Sequence, residues 1–538
     1  MTSIYIFNNA SRAAGYGIGT YIRQLTDGMR GIPDTEVSLV EMYAETKEFA
    51  ISDDEQGIRH YLIPPLHSGI ESEDYCRCIF YFLARYIKPK DSDKIIFQFN
   101  YFLHYSLALL LKSWRPDSHI VFTVHYMTWC FELKGNVRRM KKITAEGYVP
   151  INKTEQCIQS SFFNEKAFLH LADVIITLSR RTEEILIQDY KVDKNKTHLV
   201  YNGLVDNNSY KENTDVRTIL FVGRLDEIKG LKYLIDAFAK IVPNYPDAHL
   251  MIVGEGDFQP YLEQCRRICN RVWWMGKVKN EDLDALYRSA YIGVMPSFHE
   301  QCSYTAIEMM QQGIPLIGTN STGLAEMFDL TPDLCIGIEE EDFNETDFVD
   351  EIVSRLSLLL SDKRVYEEAS HSVRQLYEER YTLASMTNGL KNAIASLSYK
   401  GGVLSHDFLQ HIDNRMIQLI NQRPEIDTEF YGMSGIGVYL WYRINSLQET
   451  DDFQRTFLQE YMIYYIDWLS EAAILETLPE EMLCVLQDMK NKGFYKTAVT
   501  GILQCQMSHK NTSSDQKPIL QPTDIIIQNA LKISSCKV

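Results

Sequence analysis

The sequence is short of positive charge and of long hydrophobic runs. Its 538 residues carry 54 Lys and Arg against 72 Asp and Glu, a formal net charge of −18. A general nucleic-acid binder needs a basic surface for the phosphates, so we expect no nucleic-acid partner. No apolar stretch approaches the length that spans a bilayer, and residues 1–8 lack the basic start and the apolar length of a signal peptide.

Cysteine is scattered rather than paired. The eleven cysteines are odd in number, which argues against a disulfide framework and favours a reducing, cytoplasmic location. With 45% hydrophobic and 23% charged residues, the composition is that of a soluble globular protein. A chain of this length exceeds one ordinary core and predicts two or three domains.

The first 400 residues alternate short apolar runs with amphipathic stretches. This pattern predicts two Rossmann-like α/β domains that face one cleft, at 1–202 and 203–400, with Asn202 and Gly203 as the hinge. The predicted strands are 3–8, 94–100, 119–125, 174–179 and 197–201 in the first domain and 218–223, 249–254, 272–278, 291–297 and 315–319 in the second.

The alternation stops after Gly401 and Gly402. Residues 405–504 instead have the periodicity of several helices rich in Leu, Ile, Tyr and Met. We therefore predict that residues 401–538 form a helical extension that ends in a polar, flexible tail. A structural or docking role is the interpretation we favour for this extension.

Two glutamates stand eight positions apart around a helix start expected near Ser303. The free backbone N–H groups of a first helical turn attract a pyrophosphate. Glu308, roughly 7 Å along the helix axis, could accept hydrogen bonds from ribose hydroxyls. Glu300 precedes the helix and is free to bind a sugar, so this spacing predicts a nucleotide-sugar-binding site.

Positive charge for the phosphates is predicted at Arg224 and Lys229. Both follow a β-branched run that ends at Gly223, so they should lie at the carboxyl edge of a parallel sheet, where open α/β sheets bind ligands. The planar fork of Arg224 can grip a phosphate, and Lys229 can add a point charge near the leaving oxygen.

These motifs resemble those of the retaining glycosyltransferases of family 4, which have the two-domain GT-B architecture. The resemblance covers about the first 400 residues, and short motifs in the expected order carry it. They are residues 15–19 (GYGIG), 123–125 (TVH), 172–179 (ADVIITLS), 201–204 (YNGL), 223–224 with 229–230 (GR, KG), Glu300 and Glu308.

The resemblance implies a role for each site residue. Glu300 would hold hydroxyls of the donor sugar, and Glu308 would hold the ribose. The backbone around Lys277 and Val278 would meet the base. The leaving diphosphate would be stabilised by Arg224, Lys229 and the first-turn amides near Cys302, Ser303 and Tyr304.

In the first domain, the resemblance implies that the backbone at Gly17 and Gly19 approaches the donor phosphates, since a side chain there would obstruct it. Gly223 belongs to the same nucleotide-sugar site. His125 would enter the cleft near the donor sugar and orient it, although a histidine held at a strand end for structural reasons is the alternative. The catalytic candidates are therefore His125, Arg224, Lys229 and Glu300.

The chain departs from the family pattern at Gln301 and Ser303, where glycine is common. Ser303 could cap the helix and turn its hydroxyl to phosphate, and the two larger side chains could narrow the pocket or change the donor preference. Because both glutamates and both cations remain, we still expect activity.

A metal-dependent transferase of the other main fold would need an aspartate pair directly after an apolar strand. Asp91 and Asp93 instead precede a predicted strand, and Asp282 and Asp284 lie on an amphipathic helix. We therefore expect no divalent metal and no other cofactor.

The function that the resemblance implies is the transfer of a sugar from a UDP- or GDP-linked donor, with retention of configuration, to a glycan, a glycolipid or a peptide. A peptide is included among the possible acceptors because the stretch 273–278 (WWMGKV) and the helical extension are similar to glycosyltransferases found with ribosomally made peptides. The cluster of Lys134, Arg138, Arg139, Lys141 and Lys142 could contact a membrane surface or an anionic acceptor, and a solvated face is the alternative.

Two other functions stay open on the sequence alone. One is a non-catalytic GT-B scaffold that recruits a partner through the helical extension. The other is a hydrolase or phosphorylase of the same fold, in which water or free phosphate replaces the acceptor. The sequence gives no oligomeric state.

Overall fold

The computed structural model describes residues 2–9, 17–65, 72–87, 94–115, 117–208, 210, 216–338, 343–397, 413, 416–417, 420–421, 423, 433–447, 452–473 and 477–510. The chain forms two compact units. The first comprises Met1–Pro65, Ile96–Phe102 and His119–Ser398, and the second comprises Leu66–Ile95, Leu103–Ser118 and Tyr399–Val538.

Eight strands form the first sheet. They are, in chain order, β1 (Thr2–Asn9), β2 (Thr35–Met42), β3 (Ala50–Asp53), β4 (Arg59–Ile63), β5 (Lys94–Phe99), β6 (His119–Val124), β7 (Val174–Thr177) and β8 (Thr197–Leu199). In space they lie in the order β3-β4-β2-β1-β5-β6-β7-β8, and β3 pairs antiparallel with β4. Every residue of β6 is buried, as is typical inside a parallel sheet.

Six parallel strands form the second sheet. They are β9 (Arg217–Val222), β10 (Ala248–Val253), β11 (Val272–Gly276), β12 (Ile292–Met295), β13 (Leu316–Thr319) and β14 (Cys335–Ile336). Their spatial order is β11-β10-β9-β12-β13-β14, so the strand order reverses between β9 and β12. The crevice beyond the carboxyl ends of two such strands is the usual ligand site of an open α/β sheet.

Fourteen α-helices lie between residues 17 and 395 in the described part of the chain. The first seven are α1 (Gly17–Arg30), α2 (Ser72–Tyr86), α3 (Tyr105–Trp114), α4 (Thr128–Glu132), α5 (Val137–Ile143), α6 (Lys153–Leu171) and α7 (Arg180–Gln188). The next seven are α8 (Leu231–Ile241), α9 (Gln259–Gln264), α10 (Asn280–Arg288), α11 (Tyr304–Gln311), α12 (Glu345–Ser361), α13 (Lys363–Arg380) and α14 (Leu383–Ala395).

Capping side chains explain where several of these helices begin. Ser179, Ser303 and Thr382 each accept a hydrogen bond from a backbone N–H of the following turn, which satisfies a donor that the helix itself leaves free. In the first unit, one continuous hydrophobic core contains residues of both sheets. Helix α14, the last helix of the first unit, packs against α1, where a Cβ on Gly28 would lie 2.5 Å from Thr387 Oγ1.

The second unit contains α2 and α3 and the helices α15 (Met433–Ser446), α16 (Asp452–Ala472), α17 (Glu480–Asn491) and α18 (Lys496–Lys510). Leu, Ile, Met, Tyr and Trp side chains of the last four helices form their own core. Inside it, Arg443 Nε lies 3.2 Å from Asp413 Oδ2, and both side chains are buried. The predicted helical extension is thus confirmed, while the tail at 511–538 lies outside the described residues.

The predicted fold class is confirmed, and each of the ten predicted strands is found within about two residues of its expected ends. The sequence prediction missed β2, β3, β4 and β14. Of these, β3 is mostly exposed and β14 has two residues, so neither leaves an apolar run in the sequence. Within the described ranges, no helix is both long and apolar enough to cross a bilayer.

One glycine between β9 and α8 gives a stability prediction. Gly230 follows the turn Glu227–Lys229 with φ of 69°, and a Cβ there would lie 2.0 Å from the carbonyl oxygen of Pro296. We expect Gly230→Ala to cost about 3 kcal/mol or more, because it adds left-handed strain to a backbone clash. Thermal unfolding followed by circular dichroism measures the loss.

The matched control is Gly337→Ala. The nearest atom to a Cβ at Gly337 is Asn320 Nδ2 at 3.9 Å, an ordinary contact. This variant should change stability by no more than about 0.5 kcal/mol. Equal melting temperatures for the two variants would show that the turn at Gly230 tolerates a side chain.

Candidate active site

A cavity of about 330 Å³ opens where the strand order of the second sheet reverses, beyond the carboxyl ends of β9 and β12. Residues that follow β6 and β7 of the first sheet complete its wall. The predicted site residues that line it are Gly17, His125, Gly223, Arg224, Lys229, Lys277, Val278, Glu300, Cys302, Ser303, Tyr304 and Glu308. Gly19 does not line it, because Gly19 is buried within the first turn of α1.

The N-terminus of α11 points into this cavity. Ser303 has extended backbone angles, and its Oγ accepts a hydrogen bond from Ala306 N at 3.4 Å, so the helix begins at Tyr304. The start predicted near Ser303 and the predicted capping role are both confirmed. The remaining first-turn N–H groups and the helix dipole make this end of the cavity attractive to an anion.

Both predicted cations reach the cavity from the segment after β9, and each has an acidic partner. Arg224 Nη2 lies 3.0 Å from Asp226 Oδ2. Lys229 Nζ lies 2.6 Å from Glu300 Oε1, with side chains that are only 21% and 11% exposed. The sequence predicts that Lys229 binds phosphate and that Glu300 binds the sugar, but no local pattern predicts that the two side chains contact each other. Together they join the β9 edge to the segment before α11.

The second glutamate, Glu308, is hydrogen-bonded to a residue that no motif in the sequence marks. The hydroxyl of Tyr287 on α10 donates a hydrogen bond to Glu308 Oε2 at 2.5 Å. Burial raises the pKa of Glu308 to about 7, even though this hydrogen bond favours the charged form. The carboxyl group therefore stays protonated to a higher pH than an exposed glutamate.

His125 follows β6 and presents a defined tautomer to the cavity. Asn100 Nδ2 donates to Phe7 O at 3.1 Å, so Asn100 Oδ1 is the acceptor that faces His125 Nε2 at 3.2 Å. The proton therefore sits on Nε2, and Nδ1 is left as an acceptor. Burial lowers the pKa of His125 to about 3, so the ring is neutral and suited to orient a hydroxyl.

Across the cavity from His125, the wall is formed by the carboxyl ends of β9, β10 and β11. Gly254 has φ of 143°, and a Cβ there would lie 1.8 Å from Gly223 O, so only glycine fits between these strand ends. Lys277 Nζ lies 3.2 Å from Glu255 Oε2. Gly254 and Glu255 line the cavity without having been predicted, because no motif in the sequence marks them.

The aspartates considered as metal ligands are not among the residues that line the cavity. Asp282 and Asp284 are on α10 as predicted, whereas Asp91 and Asp93 fall outside the described residues. Across the described ranges, no group of three or more His, Cys, Asp or Glu residues is placed to hold a metal ion. The absence of a metal requirement stays a prediction.

The basic cluster on and before α5 is partly neutralised. Lys134 Nζ lies 3.1 Å from Glu227 Oε2, and Lys141 Nζ lies 3.2 Å from Asp189 Oδ1. The segment that carries it also approaches the second sheet, since a Cβ on Gly135 would lie 2.8 Å from Phe298 O. Contact of this cluster with a membrane or an anionic acceptor stays a prediction.

Comparisons with known proteins find similarity to glycosyltransferases. Residues 16–207 match the family model described as Glycosyltransferase Family 4, and residues 216–358 match the model described as Glycosyl transferases group 1. An uncharacterized glycosyltransferase of Methanocaldococcus jannaschii is 33% identical over 171 residues, which are 28% of this chain and 44% of the relative. The mannosylfructose-phosphate synthase of Agrobacterium fabrum is 30% identical over 175 residues, 28% of this chain and 38% of that protein. The chain thus spans less than half the length of these two relatives.

Solved structures give the fold. Sucrose-phosphate synthase from Thermosynechococcus elongatus aligns with a TM-score of 0.58 at 18% identity, over 73% of this chain and 98% of that one. HepE from Anabaena, solved in complex with UDP, aligns with a TM-score of 0.52 at 15% identity, over 74% of this chain and 100% of that one. These alignments confirm the predicted GT-B architecture for about three quarters of the chain.

Proposed function

Because this chain belongs to the family 4 glycosyltransferases of GT-B fold, we propose that it transfers a sugar from a nucleotide-diphospho-sugar to an acceptor. One observation carries the proposal: a single cavity brings two cations, Arg224 and Lys229, to the N-terminus of α11, with Glu308 on the same helix. A diphosphate needs positive charge and N–H donors, and a ribose needs an acceptor beside them.

The leaving diphosphate gains negative charge as the sugar bond breaks. Arg224 and Lys229, with the first-turn N–H groups of α11, stabilise this charge in a preorganised setting. Lys229 Nζ donates a hydrogen bond to Glu300 Oε1 at 2.6 Å, so a donor phosphate competes with Glu300 for the ammonium group. Glu300 is then released toward the hydroxyls of the donor sugar.

On the other side of the sugar, His125 acts as a neutral hydrogen-bond acceptor through Nδ1, because Nε2 is engaged with Asn100. We propose transfer with retention of configuration, by attack of the acceptor hydroxyl on the face that the diphosphate leaves. The departing phosphate oxygen takes the acceptor proton, so no residue in this scheme serves as the general base.

For the donor base we propose uridine or guanosine. The Anabaena protein of similar fold was solved with UDP, which favours testing uridine first. The acceptor is a hydroxyl compound of glycan, glycolipid or peptide type. A purely structural role for the cavity has little support, since its two cations, two glutamates and helix N-terminus all converge on one space.

The test is a panel of nucleoside diphosphates and their sugars, with binding measured as a shift in melting temperature, because a ligand of the folded state raises apparent stability. We expect UDP or GDP to raise the melting temperature while the matching monophosphate does so less. Release of free sugar from the same donor, measured without acceptor, should be slow compared with transfer. No shift with any diphosphate would reject the proposal, and fast release would favour a hydrolase.

A further inference from the structure

We propose that Gln301 is a specificity residue for the transferred sugar, whose side-chain amide donates a hydrogen bond to one sugar hydroxyl. This inference depends on the proposed function, because it assumes that the cavity holds a nucleotide-sugar. Gln301 follows Glu300 directly, and both side chains line the cavity.

The side chain of Gln301 is oriented by the N-terminus of α7. Its Oε1 accepts a hydrogen bond from the hydroxyl of Thr182, at the start of α7, and lies 3.4 Å from the hydroxyl of Ser179. Ser179 is the N-cap of α7, so both hydroxyls have fixed positions. Because these contacts use Oε1, the Nε2 end of the amide is directed away from α7.

The Nε2 group of Gln301 is buried and has no hydrogen-bond partner among the residues that the structure describes. The residue as a whole is 6% exposed. An amide N–H that is buried without an acceptor destabilises a protein, so such groups call for an acceptor that is bound some of the time. A ligand in the cavity can supply that acceptor.

The nearby side chain of Asn202 has an unused hydrogen-bond acceptor, whereas Gln301 has an unused donor. Asn202 is 3% exposed and lines the same cavity, and its Nδ2 donates to Cys302 O at 2.6 Å. Its Oδ1 is buried with no partner within the described part of the chain. Among the side chains that line the cavity, Gln301 Nε2 is therefore an unused donor and Asn202 Oδ1 an unused acceptor, and the nearby hydroxyl of Tyr304 is also buried without a partner among the described residues.

This combination distinguishes between ligand groups. A phosphate or carboxylate oxygen accepts hydrogen bonds only and would leave Asn202 Oδ1 unsatisfied. A hydroxyl both donates and accepts, so hydroxyl groups satisfy both polarities. Both the transferred sugar and the acceptor carry hydroxyls. We assign the contact to the sugar, because Gln301 adjoins Glu300, the residue proposed to hold the sugar.

The experiment compares nucleotide and nucleotide-sugar binding in wild-type protein and in Gln301→Met, which keeps the length of the side chain and removes the N–H donor. Isothermal titration gives the Kd for UDP and UDP-glucose, or for GDP and GDP-mannose if that pair binds the wild type. We expect the variant to keep its affinity for the diphosphate and to bind the nucleotide-sugar about 5–10-fold more weakly, as for one lost hydrogen bond.

Monodeoxy forms of the sugar identify the hydroxyl. Wild-type protein should bind one monodeoxy nucleotide-sugar more weakly than the parent compound. Gln301→Met should bind that monodeoxy form and the parent equally well, and its preferences at the other hydroxyls should be those of the wild type. A purely structural role of Gln301 would not produce such coupling to a single hydroxyl. Thr182→Val, which removes the donor to Oε1, should weaken nucleotide-sugar binding in the same direction.

The matched control is Gln311→Met. Gln311 is also buried and lies on α11, but its Nε2 donates to Val205 O and Tyr377 Oη. This variant should lose stability and keep nucleotide-sugar affinity. The inference about Gln301 would be overturned, with the proposed function intact, if Gln301→Met had the wild-type ratio of Kd values for the diphosphate and the nucleotide-sugar. An effect of the substitution on the KM of the acceptor only would overturn it as well. Failure of the wild type to bind any nucleotide would overturn the proposed function and this inference with it.

Discussion

Replacing Lys229 with alanine is expected to lower the rate of sugar transfer by about 100- to 1000-fold, the range found when one preorganised donor to a developing negative charge is removed. The ammonium group lies inside the cavity, and its position is fixed by Glu300 at 2.6 Å. Its loss removes positive charge from the place where the diphosphate departs. Steady-state transfer with a saturating donor measures the effect as a fall in kcat.

Lys240→Ala is the matched control for charge. Lys240 Nζ also lies 2.7 Å from a carboxylate, Asp350 Oδ1, but this pair is on the exposed face of α8 and away from the cavity. Exposed pairs of this kind contribute no more than about 1 kcal/mol to stability. Lys229→Arg should recover little activity, because a guanidinium group does not fit the position of a compact ammonium. A Lys229→Ala enzyme with normal kcat would remove Lys229 from the mechanism.

Replacing Glu308 with glutamine is expected to weaken nucleotide-sugar binding by about 100-fold at pH 8, since hydrogen bonds from ribose hydroxyls to a carboxylate are among the stronger ones. The carboxylate is the form that binds, and burial raises its pKa to about 7. Affinity in the wild type should therefore rise as pH increases through 7, and the variant should lack this rise. Titration calorimetry from pH 5.5 to 8.5 measures both.

A nucleotide-sugar is the right probe here, because its phosphates do not titrate in this range, whereas the terminal phosphate of a free diphosphate does. Asp282→Asn is the control, since Asp282 is an exposed carboxylate on α10. It should leave both the affinity and its pH dependence unchanged. Parallel pH profiles for wild type and Glu308→Gln would contradict the assignment of Glu308.

The stability of the ligand-free protein should change with pH in the opposite direction. The pKa of Glu308 is raised from 4.5 in the unfolded chain to about 7 in the folded one, so between these values the folded state binds more protons. Stability therefore falls as pH increases across this window, by on the order of 3 kcal/mol. Glu308→Gln should be free of this loss, which urea unfolding at pH 5 and pH 8 measures.

Much of the α/β architecture could be read from the sequence because parallel strands are buried on both faces. Strands such as β6 and β9 appear as short apolar runs between amphipathic helices. Strand β3 pairs antiparallel at the edge of the first sheet and is mostly exposed, so it carries no such signal. The sequence also could not show that residues 66–95 and 103–118 belong to the same compact unit as the C-terminal helices.

At the site, the sequence determined which residues arrive at the strand ends. Arg224, Glu300 and the helix start after Ser303 follow from local patterns, since the end of an apolar run and a capping serine are encoded within a few positions. The Ser303 cap, for example, needs only the backbone N–H three residues further on.

Tertiary structure alone decided the partners of these side chains. The contacts Lys229–Glu300, Tyr287–Glu308 and Thr182–Gln301 join positions that are 71, 21 and 119 residues apart. No local pattern encodes such contacts, because a hydrogen bond depends on distances of a few tenths of an ångström that are set by how strands and helices pack. The sequence therefore determined the fold and the chemical groups at the cavity, and the packing determined which of them are paired, which carry charge and which are left for a ligand.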